Sequence, residues 1–128
     1  MTERTSASIV AVVDDDPGVL RSLEYLLESA DYSVRLFASG GELLDSGCMY
    51  QIDCLISDMD MPGMQGHELL RIVRAARPEL PVILITGYPE TLSRLPAPGI
   101  ANHLCFSKPF QGPELLTAVR ECIAKLRG

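Results

Sequence analysis

The chain has 128 residues, of which 47% are hydrophobic and 22% charged, and its formal net charge is −6. This composition is typical of one globular domain and excludes intrinsic disorder. The acidic balance argues against nucleic-acid or membrane binding by the domain itself. No apolar run approaches the roughly 18 residues of a membrane span, and the polar start lacks a signal peptide's apolar core, so we expect a cytoplasmic protein.

Strand and helix patterns alternate along the chain after a polar start. Residues 1–7 are expected to form a flexible tail, and residues 8–128 one domain. Strand patterns rich in apolar residues lie at 8–13, 32–37, 53–57 and 81–86, and a weaker one lies at 101–107. Because these runs do not alternate apolar and polar residues, they predict a parallel sheet with helices on both faces, an α/β fold of right-handed β-α-β units.

Local signals mark the ends of several helices. Asp16 followed by Pro17 predicts a helix start, with a capping carboxylate before proline at the first helical position. Ser39 predicts the cap of a short helix that Gly47 ends, and Pro113 opens the last helix.

Polar residues able to take part in binding or catalysis lie at the ends of four of the predicted strands. Asp14 and Asp15 lie at the end of the first, Asp58 at the end of the third, Thr86 ends the fourth, and Lys108 follows the fifth. If the first and third strands are neighbours, these side chains converge at the carboxyl edge of the sheet, where such folds bind ligands. Carboxylates, a hydroxyl and a lysine suit Mg²⁺ and a phosphoryl group, and a carboxylate can be the nucleophile.

Each of these residues also has a simpler interpretation. Asp14 and Asp15 can be solvated residues at a strand end. Asp58 and Thr86 can be turn residues, and Lys108 a surface lysine. The neighbouring Asp16 can be only a helix cap. Histidines, methionines and cysteines show no metal-site spacing; we interpret the four cysteines as small buried hydrophobes. The complete set on four strand ends is what favours a functional site.

Four segments together resemble the receiver domain of response regulators. They are V-V-D-D-D-P at 12–17, L-I-S-D-M-D-M-P-G-M-Q-G at 55–66, I-L-I-T-G at 83–87 and S-K-P-F at 107–110. The resemblance covers the chain from Ile9 onward, and the first three strands look closest to nitrogen-fixation regulators. It implies a flavodoxin-like fold of five parallel strands in the order 2-1-3-4-5, so that residues 8–128 form the receiver domain.

The resemblance assigns a metal site and a phospho-acceptor. Asp58 would accept the phosphoryl group. Asp15, Asp58 and the backbone carbonyl of Asp60 would bind Mg²⁺ or Mn²⁺ directly, and Asp14 would act through water. The chain would catalyse only its own phosphorylation and dephosphorylation.

It also assigns the groups that respond to the phosphoryl group. Thr86 would hydrogen-bond its oxygens and move on activation, Lys108 would pair with it, and the Lys108–Pro109 peptide bond would be cis. Asp60 and Tyr88, each two residues after a site residue, would flank the path of an attacking water and so tune hydrolysis.

Two features depart from the family's usual pattern. Pro89, Pro96 and Pro98 follow Thr86 closely, and because an interior proline costs a helix roughly 3 kcal/mol, the fourth helix should be short or irregular. Cys105 stands where the family tends to carry an aromatic switch residue.

The resemblance further implies partners. A sensor histidine kinase or a phosphotransfer protein, or a small acyl phosphate, would supply the phosphoryl group. A C-terminal helix-turn-helix output domain, which residues 1–128 do not contain, and a homodimer are further expectations.

Two other functions fit part of the pattern. Asp58-Met59-Asp60 also resembles the D-x-D of haloacid-dehalogenase-type phosphatases, with Asp58 as nucleophile and Asp60 as general acid. However, Asp14 and Asp15 precede this motif, whereas such enzymes carry their second acidic pair later, and a substrate domain is missing. A receiver-like binding module that never uses phosphate is the third interpretation.

Overall fold

A parallel sheet forms the centre of the molecule. The computed structural model describes residues 8–61, 66–87, 103–107 and 111–127. The strands are β1 (Ile9–Val13), β2 (Ser33–Phe37), β3 (Cys54–Asp58), β4 (Val82–Thr86) and β5 (His103–Ser107). They lie side by side in the order β2-β1-β3-β4-β5, and every pairing is parallel. The predicted parallel α/β sheet is confirmed, and β1 and β3 are neighbours, as convergence of the acidic residues requires.

Helices cover this sheet. Within the described residues they are α1 (Pro17–Ser29), α2 (Gly40–Ser46), α3 (Gly66–Ala76) and α4 (Gly112–Arg127), with a short 3-10 helix at Cys48–Tyr50. None of these described helices has the length and apolarity needed to cross a membrane. The predicted short or irregular helix between β4 and β5 falls at 88–102, outside the described residues.

The predicted caps of the first two helices are confirmed. The Asp16 carboxylate accepts a hydrogen bond from the Gly18 backbone N–H at 2.8 Å, and Pro17 occupies the first helical position. Ser39 accepts from the Glu42 N–H at 3.1 Å, and Gly47 ends α2 with φ of 74°. Both caps need only neighbouring residues, which explains why local sequence was sufficient to predict them.

The central strands β1, β3 and β4 bury both of their faces in separate cores. On β1, Ala11 and Val13 face the core under α2 and α3, whereas Val10 and Val12 face the core under α1 and α4. The first core contains Leu43, Met59, Met61, Leu69, Leu70 and Val73, and the second contains Leu23, Leu27, Leu115, Val119 and Ile123. Two covered faces are the physical reason for the continuous apolar runs.

The interpretation of the cysteines as buried is confirmed for Cys54, whereas Cys48 and Cys122 are only half-buried. Cys105 has no described side chain. Cys54 lies at the start of β3, where both faces of the strand are covered, while the other two lie on helical elements nearer the surface. The difference follows from position in the sheet rather than from residue type.

The amino edge of the sheet is closed by charged side chains that bind backbone groups. The Asp53 carboxylate accepts from the Ile9 N–H at 2.8 Å. The Arg77 guanidinium donates to the carbonyls of Met49 at 2.9 Å and Ile52 at 2.6 Å, and also contacts Glu79 at 3.0 Å. These contacts fix the segments that lead into β1, β3 and β4.

Candidate functional site

Three carboxylates meet where β1 and β3 end side by side. Each of Asp14, Asp15 and Asp58 offers a carboxylate oxygen, and these oxygens all lie within 4.8 Å of one another. Asp14 is 2% exposed and Asp58 is 4% exposed, while Asp15 is open to solvent. The predicted convergence of these residues is therefore observed.

Backbone hydrogen bonds hold the two buried carboxylates in place. The Asp14 N–H donates to the Phe37 carbonyl at 3.1 Å, and the Asp14 carboxylate accepts from the Asp16 N–H at 2.9 Å. The Asp58 carboxylate accepts from the Asp60 N–H at 3.1 Å. Asp58 is the last residue of β3, as predicted, and it pairs with Ile85 of β4.

The arrangement suits a hard divalent cation. Like charges this close repel one another, and a bound cation relieves that repulsion. Carboxylate oxygens are the ligands that Mg²⁺ prefers, and an exposed member such as Asp15 leaves room for the waters that Mg²⁺ retains. The residues present therefore fit a magnesium or manganese ion.

Thr86 makes a contact that the sequence did not predict. Its side chain is fully buried at the end of β4, and its hydroxyl donates to Oδ2 of Asp60 at 2.7 Å. The Gly87 N–H donates to the same oxygen at 3.0 Å. The sequence assigned Asp60 a backbone carbonyl that binds the metal, a role in tuning hydrolysis, and the role of general acid in a phosphatase. None of these predicts a hydrogen bond from Thr86. Only the β3–β4 register would have revealed it.

Three predicted site features lie outside the described residues. They are the Lys108 side chain, the cis peptide bond before Pro109, and the Tyr88 ring. Strand β5 ends at Ser107, which pairs with Thr86. Within the described residues, the carboxyl ends of β1, β3, β4 and β5 therefore surround the site.

The model of the response regulator receiver domain family matches residues 10–120 of this chain. The chain belongs to this family. The match spans the acidic residues, the β3 turn, Thr86 and Lys108 in one alignment. It supports the resemblance that the four segments carry and argues against the phosphatase interpretation.

Individual relatives agree with this assignment. The chain is 26% identical over 119 residues to the cell cycle response regulator CtrA of Brucella ovis; the match covers 93% of this chain and 51% of the relative. It is 25% identical to the signal receiver domain of an HD domain-containing protein from Pseudomonas fluorescens, covering 99% of this chain and 94% of that one with a TM-score of 0.84. A CheY-like receiver domain protein from Methanospirillum hungatei is 27% identical, with coverages of 95% and 98% and a TM-score of 0.80.

These similarities identify the chain as a signalling module. The fold is flavodoxin-like, and the chain is a receiver domain of two-component signalling. It spans about half the length of the curated relatives it matches.

Proposed function

We propose that Asp58 is the phospho-acceptor of this receiver domain. The observation that supports it is the position of Asp58 on β3, between β1 and β4. The Asp14 and Asp15 carboxylates, at the end of β1, lie on one side of it. Thr86, the last residue of β4, lies on the other side. A phosphoryl group on Asp58 would thus have a cation-binding side and a hydrogen-bonding side.

The proposed reaction transfers a phosphoryl group to a carboxylate oxygen. An oxygen of Asp58 attacks the phosphorus of a phosphohistidine, the P–N bond breaks, and the histidine nitrogen leaves with the bonding electron pair. With a small acyl phosphate, the P–O bond breaks instead and a carboxylate leaves. The product in both cases is an aspartyl phosphate.

The acidic residues would hold the cation that this chemistry needs. Asp15, Asp58 and the Asp60 carbonyl are the proposed direct ligands of Mg²⁺ or Mn²⁺, and Asp14 is the ligand through water. When bound, the ion neutralises charge on the phosphoryl oxygens. The β1–β3 pairing contributes by holding the carboxylates together before any donor arrives.

Two residues would respond to the charge of the phosphoryl group, and two others would set the lifetime of the acyl phosphate. Thr86 and Lys108 are proposed to move toward the phosphoryl group, because it adds negative charge and acceptor oxygens to the end of β3. Lys108 would be followed by a cis bond to Pro109. Tyr88 and Asp60 are proposed to flank the path of a water that attacks the acyl phosphate. The bulky Tyr88 should shield that path, so Tyr88→Ala should shorten the lifetime of the acyl phosphate.

The proposed donor is a sensor histidine kinase or a phosphotransfer protein in the cytoplasm. Within the family we propose a place near the nitrogen-fixation regulators, as the first three strands suggest, with residues 8–128 as the receiver. Signalling through a helix-turn-helix output domain and through a homodimer belongs to the same proposal. The greater length of the curated relatives is consistent with an output domain in such proteins.

The experiment is intact-mass spectrometry after incubation with Mg²⁺ and either acetyl phosphate or phosphoramidate. We expect the mass of one phosphoryl group on the wild type and none on Asp58→Asn. Asp45→Asn is the matched control, because Asp45 is an exposed carboxylate on α2. Removing Mg²⁺ with a chelator should abolish the adduct.

Three results would contradict the proposal. An adduct that persists in Asp58→Asn would place the acceptor elsewhere. Turnover of a generic phosphate ester would favour the phosphatase. Mg²⁺ binding with no adduct from either donor would favour a binding module that does not use phosphate.

A further inference from the structure

One oxygen of Asp60 already accepts the hydrogen bond that Thr86 is proposed to donate to the phosphoryl group. Asp60 Oδ2 lies 2.7 Å from Thr86 Oγ1 and 3.0 Å from the Gly87 backbone nitrogen. Both donors belong to the carboxyl end of β4, and Thr86 is fully buried. The Asp60 carboxylate therefore binds the part of the site that is proposed to respond to phosphorylation.

These two uses of Thr86 exclude each other. A threonine hydroxyl has one proton and donates one hydrogen bond at a time. While the Thr86 hydroxyl donates its hydrogen bond to the Asp60 carboxylate, it cannot donate to a phosphoryl oxygen on Asp58. Thr86 must leave Asp60 before it can bind the phosphoryl group.

Asp60 is also connected directly to the phospho-acceptor. Its backbone N–H donates to Asp58 Oδ1 at 3.1 Å, while its side chain binds the end of β4. One residue thus joins the carboxylate that would be modified to the hydroxyl that would move. A change in the charge of Asp58 acts on both ends of this connection.

We infer that the Asp60 carboxylate is an internal competitor of the phosphoryl group. It forms a latch, consisting of Asp60 Oδ2 with the Thr86 hydroxyl and the Gly87 N–H, that holds the end of β4 in its unphosphorylated position. The inference rests on the proposed function of Asp58 and adds to it a positioning role for Asp60 that is separate from hydrolysis.

The latch lowers the apparent affinity of the site for phosphoryl-like anions. When only a fraction of the molecules is competent to bind, the apparent affinity falls by that fraction. Two hydrogen bonds to a charged acceptor are enough to keep about nine molecules in ten latched, so opening the latch should tighten binding about tenfold.

Charge alone could also weaken anion binding, and two variants separate the effects. Asp60→Asn removes the charge but keeps a side-chain oxygen that can accept from Thr86 and Gly87. Asp60→Ala removes both the charge and the acceptor. The latch therefore predicts a larger effect for alanine, whereas simple repulsion predicts equal effects.

The test uses fluoroberyllate with Mg²⁺ as the phosphoryl analogue, titrated into the chain and followed by nuclear magnetic resonance. We expect about tenfold tighter binding in Asp60→Ala, a smaller gain in Asp60→Asn, and none in Asp45→Asn. Without the analogue, hydrogen exchange at the Gly87 N–H should be faster in Asp60→Ala than in Asp60→Asn.

The outcomes distinguish the latch from the function on which it rests. If the wild type binds fluoroberyllate but Asp60→Ala binds no tighter than Asp60→Asn, the latch is overturned and the phospho-acceptor role stands. Unchanged Gly87 exchange in Asp60→Ala would overturn the latch as well. If neither wild type nor variants bind the analogue or accept a phosphoryl group, both proposals fail.

Discussion

The two edges of one sheet use charged side chains in opposite ways. At the amino edge, Asp53 and Arg77 each bind backbone groups of the opposite polarity. At the carboxyl edge, Asp14, Asp15 and Asp58 bring like charges within 4.8 Å of one another. The first arrangement stabilises the fold, whereas the repulsion in the second opposes folding and its carboxylates offer ligands for a cation.

The difference separates the contacts that stabilise the fold from the residues proposed to carry the function. Hydrogen bonds to a charged partner rank among the stronger contributors to folding. Clustered carboxylates do the reverse until a cation binds. Substitutions at the amino edge should therefore change unfolding without changing phosphorylation, while those at the carboxyl edge should change both.

The largest effect on stability is expected from Arg77→Ala. This change leaves the carbonyls of two buried residues, Met49 and Ile52, without their charged donor. We expect the free energy of unfolding to fall by about 3 kcal/mol, measured by urea denaturation. Phosphorylation by acetyl phosphate in the folded protein should be unchanged.

Arg77→Lys is the matched control for this prediction. It keeps the charge but not the planar group that reaches two carbonyls, so it should recover only part of the lost stability. A loss below about 0.5 kcal/mol in Arg77→Ala, the range of an ordinary surface substitution, would mean that these contacts do not close the amino edge.

A smaller effect of opposite sign is expected from Asp58→Asn at the carboxyl edge. In Mg²⁺-free buffer the variant should be more stable than the wild type by about 1–2 kcal/mol, because one of three repelling charges is gone. The asparagine carbonyl can still accept from the Asp60 N–H. Thermal and urea unfolding in a chelator measure the difference.

Adding Mg²⁺ should reverse this order. Once the Mg²⁺ concentration exceeds the dissociation constant of the Mg²⁺ complex, each tenfold rise in concentration should stabilise the wild type by about 1.4 kcal/mol. Asp58→Asn should gain much less. Asp45→Asn should follow the wild type throughout. Lower stability of Asp58→Asn in chelator would show that the carboxylates do not repel one another in the folded protein.

The smallest effect is a pH dependence at the amino edge. Burial raises the pKa of the Cys54 thiol above its ordinary value of 9.0, and the nearby Cys122 thiol adds to this shift. Above pH 9 the unfolded chain loses this proton while the folded chain keeps it, so stability falls as the pH rises. The thiol should account for about 1 kcal/mol between pH 9 and pH 10.

Comparison with Cys54→Ala isolates this contribution. The alanine variant is less stable at neutral pH because it leaves a cavity, but its stability should decline less steeply between pH 9 and pH 10. Burial also raises the pKa of Tyr32, and that group is present in both proteins. Equal slopes in the two proteins would show that the thiol ionises without unfolding.

The sequence by itself determined the local structure and the family. The Asp16–Pro17 start of α1 and the Ser39 and Gly47 ends of α2 depend on neighbouring residues, and the structure confirms them. The motif spacing identified the receiver family, which the family match confirms. The roles assigned to Lys108, Pro109 and Tyr88 remain predictions.

Tertiary structure decided how the site residues meet. Convergence of the carboxylates depended on β1 lying beside β3, because the ends of separated strands do not share a site. Pairing of Asp58 with Ile85 brings Asp60 to Thr86 and Gly87. These contacts join residues 26 and 27 positions apart in the chain. Strand register, which no local preference specifies, sets which side chains lie opposite one another.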